Sequence, residues 1–141
     1  MSTASLLPSA ERPAGPTGPT VLIVEDERIS RQALAYLLEQ SGFRPATCES
    51  AEEALERLCA GAAPQVALVD VDLPGMSGLD LVARLEKLRP GTFAVLITAA
   101  SGERIDRFRE THDVQYLRKP VDFPRLLKLL DARPSTTPGP H

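Results

Sequence analysis

The sequence lacks the features on which membrane, secreted and nucleic-acid-binding proteins depend. No apolar run approaches the ~20 residues that a membrane-spanning helix needs, and residues 1–15 have neither the basic region nor the continuous apolar region of a secretory signal. The 16 basic residues are outnumbered by 19 acidic ones, so there is no basic excess to neutralise a phosphate backbone. We therefore expect a cytoplasmic protein that binds neither membranes nor nucleic acids directly.

Cysteine is also scarce. Cys48 and Cys59 are the two cysteines of the chain, they form no CxxC pair, and no histidine lies at metal-ligand spacing from them. The sequence thus supports neither a disulfide framework nor a zinc site. We expect both thiols to be small core residues.

The 141 residues are about one domain's length, and the prolines concentrate at the two ends. Seven of the 13 prolines lie in the first 19 or the last eight residues, together with Gly, Ser and Thr. Such a composition buries too little apolar surface to offset the entropy lost on ordering. We therefore expect disordered tails over residues 1–19 and 134–141 and one folded domain over residues 20–133.

Between the tails, short apolar runs alternate with amphipathic segments, which is typical of strands joined by crossover helices. Residues 21–24, 66–69 and 93–97 are continuous apolar runs, suited to central strands of a parallel sheet that is covered on both faces. Residues 44–49 and 114–117 have mixed polarity and are predicted as edge strands. The pattern predicts an α/β protein with a five-stranded parallel sheet.

Five segments have the apolar spacing of helices. The core positions predicted for the first are Ile29, Ala33, Leu34, Leu37 and Leu38, with Gly42 as the stop. Ser50 and Glu53 form a capping-box signature for the second. Its predicted core stripe consists of Ala54, Leu55, Leu58 and Cys59.

The remaining helices differ in how many apolar residues they offer. The third and fifth carry full stripes, namely Leu81, Val82, Leu85 and Leu88, and Phe123, Leu126, Leu127 and Leu130. Residues 103–110, the fourth, carry six charges and have only Ile105 and Phe108 as apolar anchors. We expect this helix to be the least buried and the most easily shifted.

Polar side chains follow the strands at the edge where functional groups of parallel α/β sheets collect. They are Glu25 and Asp26 after the first strand, Asp70 after the third, Thr98 after the fourth and Lys119 beyond the fifth. Converging carboxylates repel one another unless a cation is bound, and oxygen ligands are those that Mg²⁺ takes. With a lysine charge and a hydroxyl, the set suits acceptance of a phosphoryl group, with Asp70 as the nucleophile.

Four segments resemble the signature blocks of bacterial response-regulator receiver domains, in the family's order. They are VLIVEDE at residues 21–27, VDVDLPGMSG at 69–78, ITA at 97–99 and YLRKP at 116–120. The resemblance covers residues 20–133. It implies a flavodoxin-like, doubly wound (βα)5 fold with strand order 2-1-3-4-5.

The resemblance also implies a role for each acidic residue. Asp70 would accept a phosphoryl group from a sensor histidine kinase or a histidine-phosphotransfer protein, forming an aspartyl phosphate. Glu25, Asp26, Asp70 and the backbone carbonyl of Asp72 would bind Mg²⁺, directly or through water. The protein would promote its own phosphorylation and dephosphorylation without being an enzyme in the ordinary sense.

Further residues would hold the phosphate and transmit its presence. Thr98 and Lys119 would grip the phosphoryl oxygens, and Thr98 and Tyr116 would move, reshaping the face formed by helix four, strand five and helix five. That face would contact a downstream protein target or a second copy in a homodimer. The Lys119–Pro120 bond is expected to be cis, as is frequent in the family.

The chain departs from the family's usual pattern at several positions. Glu25 stands where aspartate is commoner, and we expect the metal site to survive this change. Residues 112–114 and Val121 replace frequent Gly-Ala and aromatic residues, so the output face is expected to be unusual. The side chain of Asp72 would tune the lifetime of the phosphorylated state.

Two other functions remain open at this point. Asp70 and Asp72 resemble the DxD nucleophile and general acid of haloacid-dehalogenase-type phosphatases, although in that superfamily the nucleophile follows the first strand. The other alternative is a receiver-like module that has the same fold but binds its partners without being phosphorylated. Because only a proline-rich segment follows residue 133, the favoured expectation is a stand-alone response regulator.

Overall fold

The computed structural model describes residues 18–99 and 102–134. The expectations for residues 1–17 and 135–141 therefore lie outside the described part of the chain. Within it, the carbonyls of Gly18 and Pro19 each accept a hydrogen bond from Arg44, at 2.9 Å from its Nε and 2.9 Å from its backbone nitrogen.

Five parallel strands form one sheet. They are β1 (Thr20–Val24), β2 (Arg44–Cys48), β3 (Val66–Asp70), β4 (Phe93–Thr98) and β5 (Gln115–Arg118). Their order across the sheet is β2-β1-β3-β4-β5, and every neighbouring pair is parallel. The predicted fold class and strand order are confirmed, with the three apolar runs in the middle.

Two of the predicted site residues belong to strands instead of following them. Backbone pairing continues through Asp70, which is opposite Ile97, and through Thr98, which is opposite Arg118. The fifth strand lies one residue later than predicted, so Lys119 follows it directly. The second strand ends at Cys48, one residue before the predicted end.

The five helices are α1 (Arg28–Gln40), α2 (Ala51–Cys59), α3 (Gly78–Leu88), α4 (Glu103–Arg109) and α5 (Phe123–Asp131). The side chains of Ser50, Ser77 and Asp122 cap α2, α3 and α5 by accepting backbone hydrogen bonds. Half of the predicted capping box is present at α2: Ser50 accepts from the backbone nitrogen of Glu53, whereas Glu53 accepts from the backbone nitrogen of Glu49, at 2.8 Å, and not from that of the N-cap Ser50. None of the described helices is long and apolar enough to cross a bilayer.

Each central strand contributes alternate side chains to two cores. Leu22 and Val24 of β1 pack in the core shared with α2, α3 and α4. Val21 and Ile23 pack in the core shared with α1 and α5. Since both faces of the sheet are covered, these strands have continuous apolar sequences instead of alternating ones.

The prediction of the core residues of α1 is wrong for the residues on one side of the helix. Leu34 and Leu38 are buried, but Ile29 is 75% exposed, Leu37 is 39% exposed and Ala33 is also exposed. Five apolar positions span a wider arc than the helix presents to the sheet. On the uncovered side, Ala33 and Leu37 line a groove of about 460 Å³ between α1 and the start of α5.

The two thiols also differ in position. Cys48 ends β2 and is buried, which raises the pKa of its thiol to about 11. Cys59 is exposed, contrary to the prediction. Leu58 is the buried residue at this end of α2, and one step along a helix turns the next side chain by about 100°, away from the core.

Helix α4 has one fully buried residue, Ile105, with Phe108 partly buried beside it. That is fewer buried residues than any of the other four described helices has. The prediction that α4 is the least buried helix is confirmed. Its ease of movement stays a prediction.

Candidate functional site

Three carboxylates meet at the carboxyl edge of the sheet. Glu25 and Asp26 directly follow β1, Asp70 ends the neighbouring β3, and one oxygen of each lies within 4.8 Å of the others. Glu25 and Asp70 are only 3% and 4% exposed, while Asp26 is open to solvent. The convergence predicted from the sequence is therefore present.

Lys119 reaches this cluster from the turn that follows β5, the edge strand of the sheet. Its Nζ lies 2.9 Å from an Asp70 oxygen and 3.2 Å from a Glu25 oxygen. Its backbone nitrogen donates to the carbonyl of Thr98 at 2.8 Å, and the following Lys119–Pro120 bond is cis, as expected. Burial alone would lower the pKa of Lys119, but the bond to Asp70 and the charges of both carboxylates outweigh burial and raise it.

The electrostatics of Glu25 favour a bound cation. Burial raises the pKa of its carboxyl, and the nearby charge of Asp70 adds to the rise. The backbone nitrogen of Glu27, which donates to Glu25 at 3.0 Å, and Lys119 act in the opposite direction without cancelling the rise. A divalent cation would lower the cost of keeping this carboxyl ionised, and the three acids offer the oxygen ligands that Mg²⁺ prefers.

Asp70 is held by donors on both oxygens. One accepts from Lys119, and the other accepts from the backbone nitrogen of Asp72 at 2.9 Å. The side chain of Asp72 itself is exposed. Behind Asp70, Gly78 at the start of α3 leaves no room for a side chain, because a Cβ there would stand 2.2 Å from the Asp70 carbonyl oxygen.

Thr98 and Tyr116 lie on the neighbouring strands β4 and β5. Thr98 ends β4 and is buried. Tyr116 of β5 packs partly against the core that contains Ile105, and its hydroxyl is 3.6 Å from where a Cβ on Gly102 would stand. The guanidinium of Arg109 lies 5.3 Å from the centre of its ring. Tyr116 thus lies beside Gly102 and Arg109, at the two ends of α4.

The segment between α4 and β5 contacts two helices through His112. The ring of His112 stacks on Phe108 of α4 with centroids 3.8 Å apart, and its Nδ1 is 3.0 Å from the Phe108 carbonyl oxygen. Its Nε2 lies 3.7 Å from a carboxylate oxygen of Glu86 in α3. His112 therefore links α3 and α4.

Two residues that the sequence analysis did not single out hold the loops of the site. Arg31 of α1 donates to the carbonyls of Glu25 and Asp26, at 3.0 and 3.3 Å. Glu52 of α2 accepts from the backbone nitrogen of Met76 at 2.9 Å, and this bond lowers the pKa of its carboxyl. Neither belongs to a strand-end motif, so only the folded arrangement shows its contact.

Comparisons with known proteins agree with this geometry. Residues 21–131 match the family described as the response regulator receiver domain. Over 111 residues the chain is 38% identical to the Cyclic di-GMP phosphodiesterase of Thermotoga maritima, covering 78% of this chain and 29% of that protein. Over 106 residues it is 35% identical to the Two-component response regulator ORR6 of Oryza sativa subsp. japonica, covering 72% of this chain and 62% of that protein.

Solved structures show the same fold. The response regulator protein TrrA from Thermotoga maritima, in complex with Mg²⁺-BeF, superposes with a TM-score of 0.72 and 29% identity, over 81% of this chain and 97% of that one. The chain spans between 29% and 62% of the length of the two curated relatives above. With its matching sequence, its strand order and its acidic cluster, the chain belongs to the response regulator receiver domain family of two-component systems.

Proposed function

We propose that this chain is a phosphorylation-dependent signalling switch that accepts a phosphoryl group on Asp70. The phosphodonor is a phosphohistidine on a sensor histidine kinase or a histidine-phosphotransfer protein. The observation that carries the proposal is the position of Asp70, which lies 2.9 Å from Lys119 and within 4.8 Å of Glu25 and Asp26. A nucleophilic carboxylate beside a lysine and further acidic ligands is the arrangement that phosphoryl transfer requires.

The reaction balances with the groups present. An oxygen of Asp70 attacks the phosphorus, the bond from phosphorus to the donor's histidine nitrogen breaks, and that nitrogen keeps the electron pair and takes up a proton. Lys119, already bound to Asp70, stays close enough to offset the charge of the transferred group. Thr98, buried at the end of the adjacent strand, is proposed to donate its hydroxyl to a phosphoryl oxygen.

Mg²⁺ is the proposed cofactor. Glu25, Asp26 and Asp70 supply its carboxylate ligands, and the backbone carbonyl of Asp72 is proposed as a further one. When bound, the cation neutralises negative charge that builds up around the phosphoryl group. The acidic cluster fits it, because it offers only oxygen donors and because Glu25 is buried with a raised pKa.

Output is proposed to pass through α4, β5 and α5. Tyr116 lies beside both ends of α4 and on the strand next to the one that Thr98 ends, so movement at the phosphate would shift the weakly anchored helix. The reshaped face would bind a downstream protein target or a second copy of the chain in the cytoplasm. No separate enzymatic activity is proposed. The match to this chain covers only 29% of the phosphodiesterase named among the relatives.

The test is intact-mass analysis after incubation with Mg²⁺ and acetyl phosphate. We expect addition of one phosphoryl group to the wild type and to Asp72→Asn, and none to Asp70→Asn or in the presence of a chelator. Asp72→Asn is the matched control, since it removes an exposed carboxylate two residues from the acceptor.

Three outcomes would count against the proposal. No addition to the wild type would leave a receiver fold that binds partners without phosphate. Addition to Asp70→Asn would place the acceptor elsewhere. Turnover of a small phosphomonoester that is lost in Asp72→Asn would indicate a phosphatase that uses Asp70 and Asp72.

A further inference from the structure

Arg31 lies beneath the acidic cluster but belongs to none of the signature segments. Its side chain is only 12% exposed. One guanidinium nitrogen donates to the carbonyl oxygens of both Glu25 and Asp26, at 3.0 and 3.3 Å. A second nitrogen lies 3.9 Å from a carboxylate oxygen of Glu49, at the end of the neighbouring strand.

These contacts are made to the main chain of the two acidic residues. The backbone nitrogen of Glu25 donates to the Cys48 carbonyl at 3.1 Å, where the pairing between β1 and β2 ends. Beyond that point the chain turns away from the sheet to enter α1. Arg31 therefore bonds to the Glu25 and Asp26 carbonyls at the point where the ladder hydrogen bonds stop, and these two residues carry two of the three carboxylates.

We propose that Arg31 is a positioning residue for the divalent-cation site. One guanidinium nitrogen holds the Glu25 and Asp26 carbonyls, while a second faces Glu49, and these contacts fix the direction in which the two carboxylates leave the backbone. Partners that orient metal ligands without touching the metal typically contribute ~10-fold or more to metal affinity. The inference rests on the proposed function, because it takes Glu25 and Asp26 as ligands of Mg²⁺.

The positive charge of Arg31 should weaken Mg²⁺ binding, whereas its positioning of the ligands should strengthen it. The direction in which Mg²⁺ affinity changes when Arg31 is removed therefore tests the inference. A cation near the site repels Mg²⁺, so if charge dominated, removing Arg31 would strengthen Mg²⁺ binding. If positioning dominates, removal weakens it. We expect positioning to win, because the guanidinium faces carbonyls instead of the ligand carboxylates, and because Glu49 lies on its other side and offsets its charge.

The experiment is a calorimetric Mg²⁺ titration of the full chain at constant ionic strength. We expect Arg31→Ala to weaken Mg²⁺ binding by ~10-fold. Arg31→Lys keeps the charge, but its one ammonium ends a bond short of the guanidinium nitrogens and cannot face both the two carbonyls and Glu49, so we expect it to weaken binding by nearly as much. Arg28→Ala is the matched control, because it removes an exposed arginine from the same helix, and it should leave the affinity within about twofold of the wild type.

A second measurement separates positioning from general damage to the fold. The rate of Asp70 labelling by acetyl phosphate is followed against Mg²⁺ concentration. In Arg31→Lys the half-saturating Mg²⁺ concentration should rise ~10-fold while the rate at saturation stays near that of the wild type. A damaged fold would instead lower the rate at saturation.

Each remaining outcome bears on one proposal only. Unchanged or tighter Mg²⁺ binding by Arg31→Ala, or wild-type affinity in Arg31→Lys, would overturn the role of Arg31. A wild type that binds no Mg²⁺ would contradict the proposed metal site itself. A wild type that binds Mg²⁺ but is never phosphorylated would contradict the proposed function and leave the calorimetric test of Arg31 valid.

Discussion

Lys119 is shared by two buried carboxylates, and this sharing is what allows both to lie in the interior. A buried carboxylate without a partner is costly, but the Lys119 nitrogen lies 2.9 Å from Asp70 and 3.2 Å from Glu25. One oxygen of Glu25 is taken by the backbone nitrogen of Glu27, and the other faces Lys119. A single cation facing two acids leaves negative charge in the site, which is the condition for recruiting a divalent ion.

The contact between Gly78 and Asp70 gives a prediction at the same scale. A Cβ on Gly78 would stand 2.2 Å from the Asp70 carbonyl oxygen and 2.9 Å from the Val71 Cα, so Gly78→Ala must push the start of α3 away from β3. We expect a loss of about 1–3 kcal/mol in the free energy of unfolding, measured by urea denaturation. The rate of Asp70 phosphorylation should fall as well, because the displaced backbone carries the acceptor.

Gly91 provides the matched control for that prediction. A Cβ there would meet no described atom within 4 Å, so Gly91→Ala removes a glycine without forcing a displacement. We expect its unfolding free energy to change by less than about 1 kcal/mol. Equal losses in the two variants would show that the approach of α3 to Asp70 is not tight.

Among the elements, α4 owes much of its anchorage to a contact outside the sheet. Its buried residue is Ile105, and Phe108 is covered by the stacked ring of His112. His112 in turn lies 3.7 Å from Glu86 of α3, so this segment links α3 and α4. The helix that the sequence predicts to be the most easily shifted is therefore restrained by a residue that lies between α4 and β5.

We predict that His112→Ala loosens α4. Loss of the stacked ring should cost about 1 kcal/mol of unfolding free energy, and backbone amide exchange in Glu103–Arg109 should become severalfold faster than in the wild type. Hydrogen exchange followed by mass spectrometry measures this. Asp113→Ala, which changes the exposed neighbouring residue, should leave exchange in α4 unchanged; equal protection of α4 in both variants would contradict the restraint.

The elements show where sequence reasoning succeeds and where it stops. Strands β1, β3 and β4 are predictable because both of their faces are buried, so the sequence has no polar interruption. The exposed side of α1 is not, because Ile29 and Leu37 have the right spacing for a core face and only the neighbouring elements decide which apolar positions are covered. Asp70 and Lys119 are predictable from strand ends, whereas Arg31 and Glu52 bond to backbone atoms that no residue pattern marks.

At the scale of the whole molecule, the strand order assembles the site. Because β1 and β3 are neighbours, the acids that end them converge, and Lys119 reaches them from the turn after β5. Thr98 lies between, at the end of β4. Residues as far as 94 positions apart, Glu25 and Lys119, thus meet in one site, and ligand binding there is linked to the stability of the entire sheet.

This linkage gives a prediction for metal addition. A ligand that binds the folded state at tenfold above its dissociation constant stabilises it by about 1.4 kcal/mol. We therefore expect Mg²⁺ to raise the urea midpoint of the wild type. Asp26→Asn removes one ligand charge from the cluster, so the same Mg²⁺ concentration should raise its midpoint by less than half as much.

Without Mg²⁺, we expect Asp26→Asn to have the higher urea midpoint of the two proteins, because it lacks one of three mutually repelling carboxylates. With Mg²⁺, the wild type should have the higher midpoint. Urea titrations of both proteins, with Mg²⁺ and with a chelator, measure this change in which protein is the more stable. Parallel shifts in the two proteins would show that Mg²⁺ acts elsewhere than on this cluster.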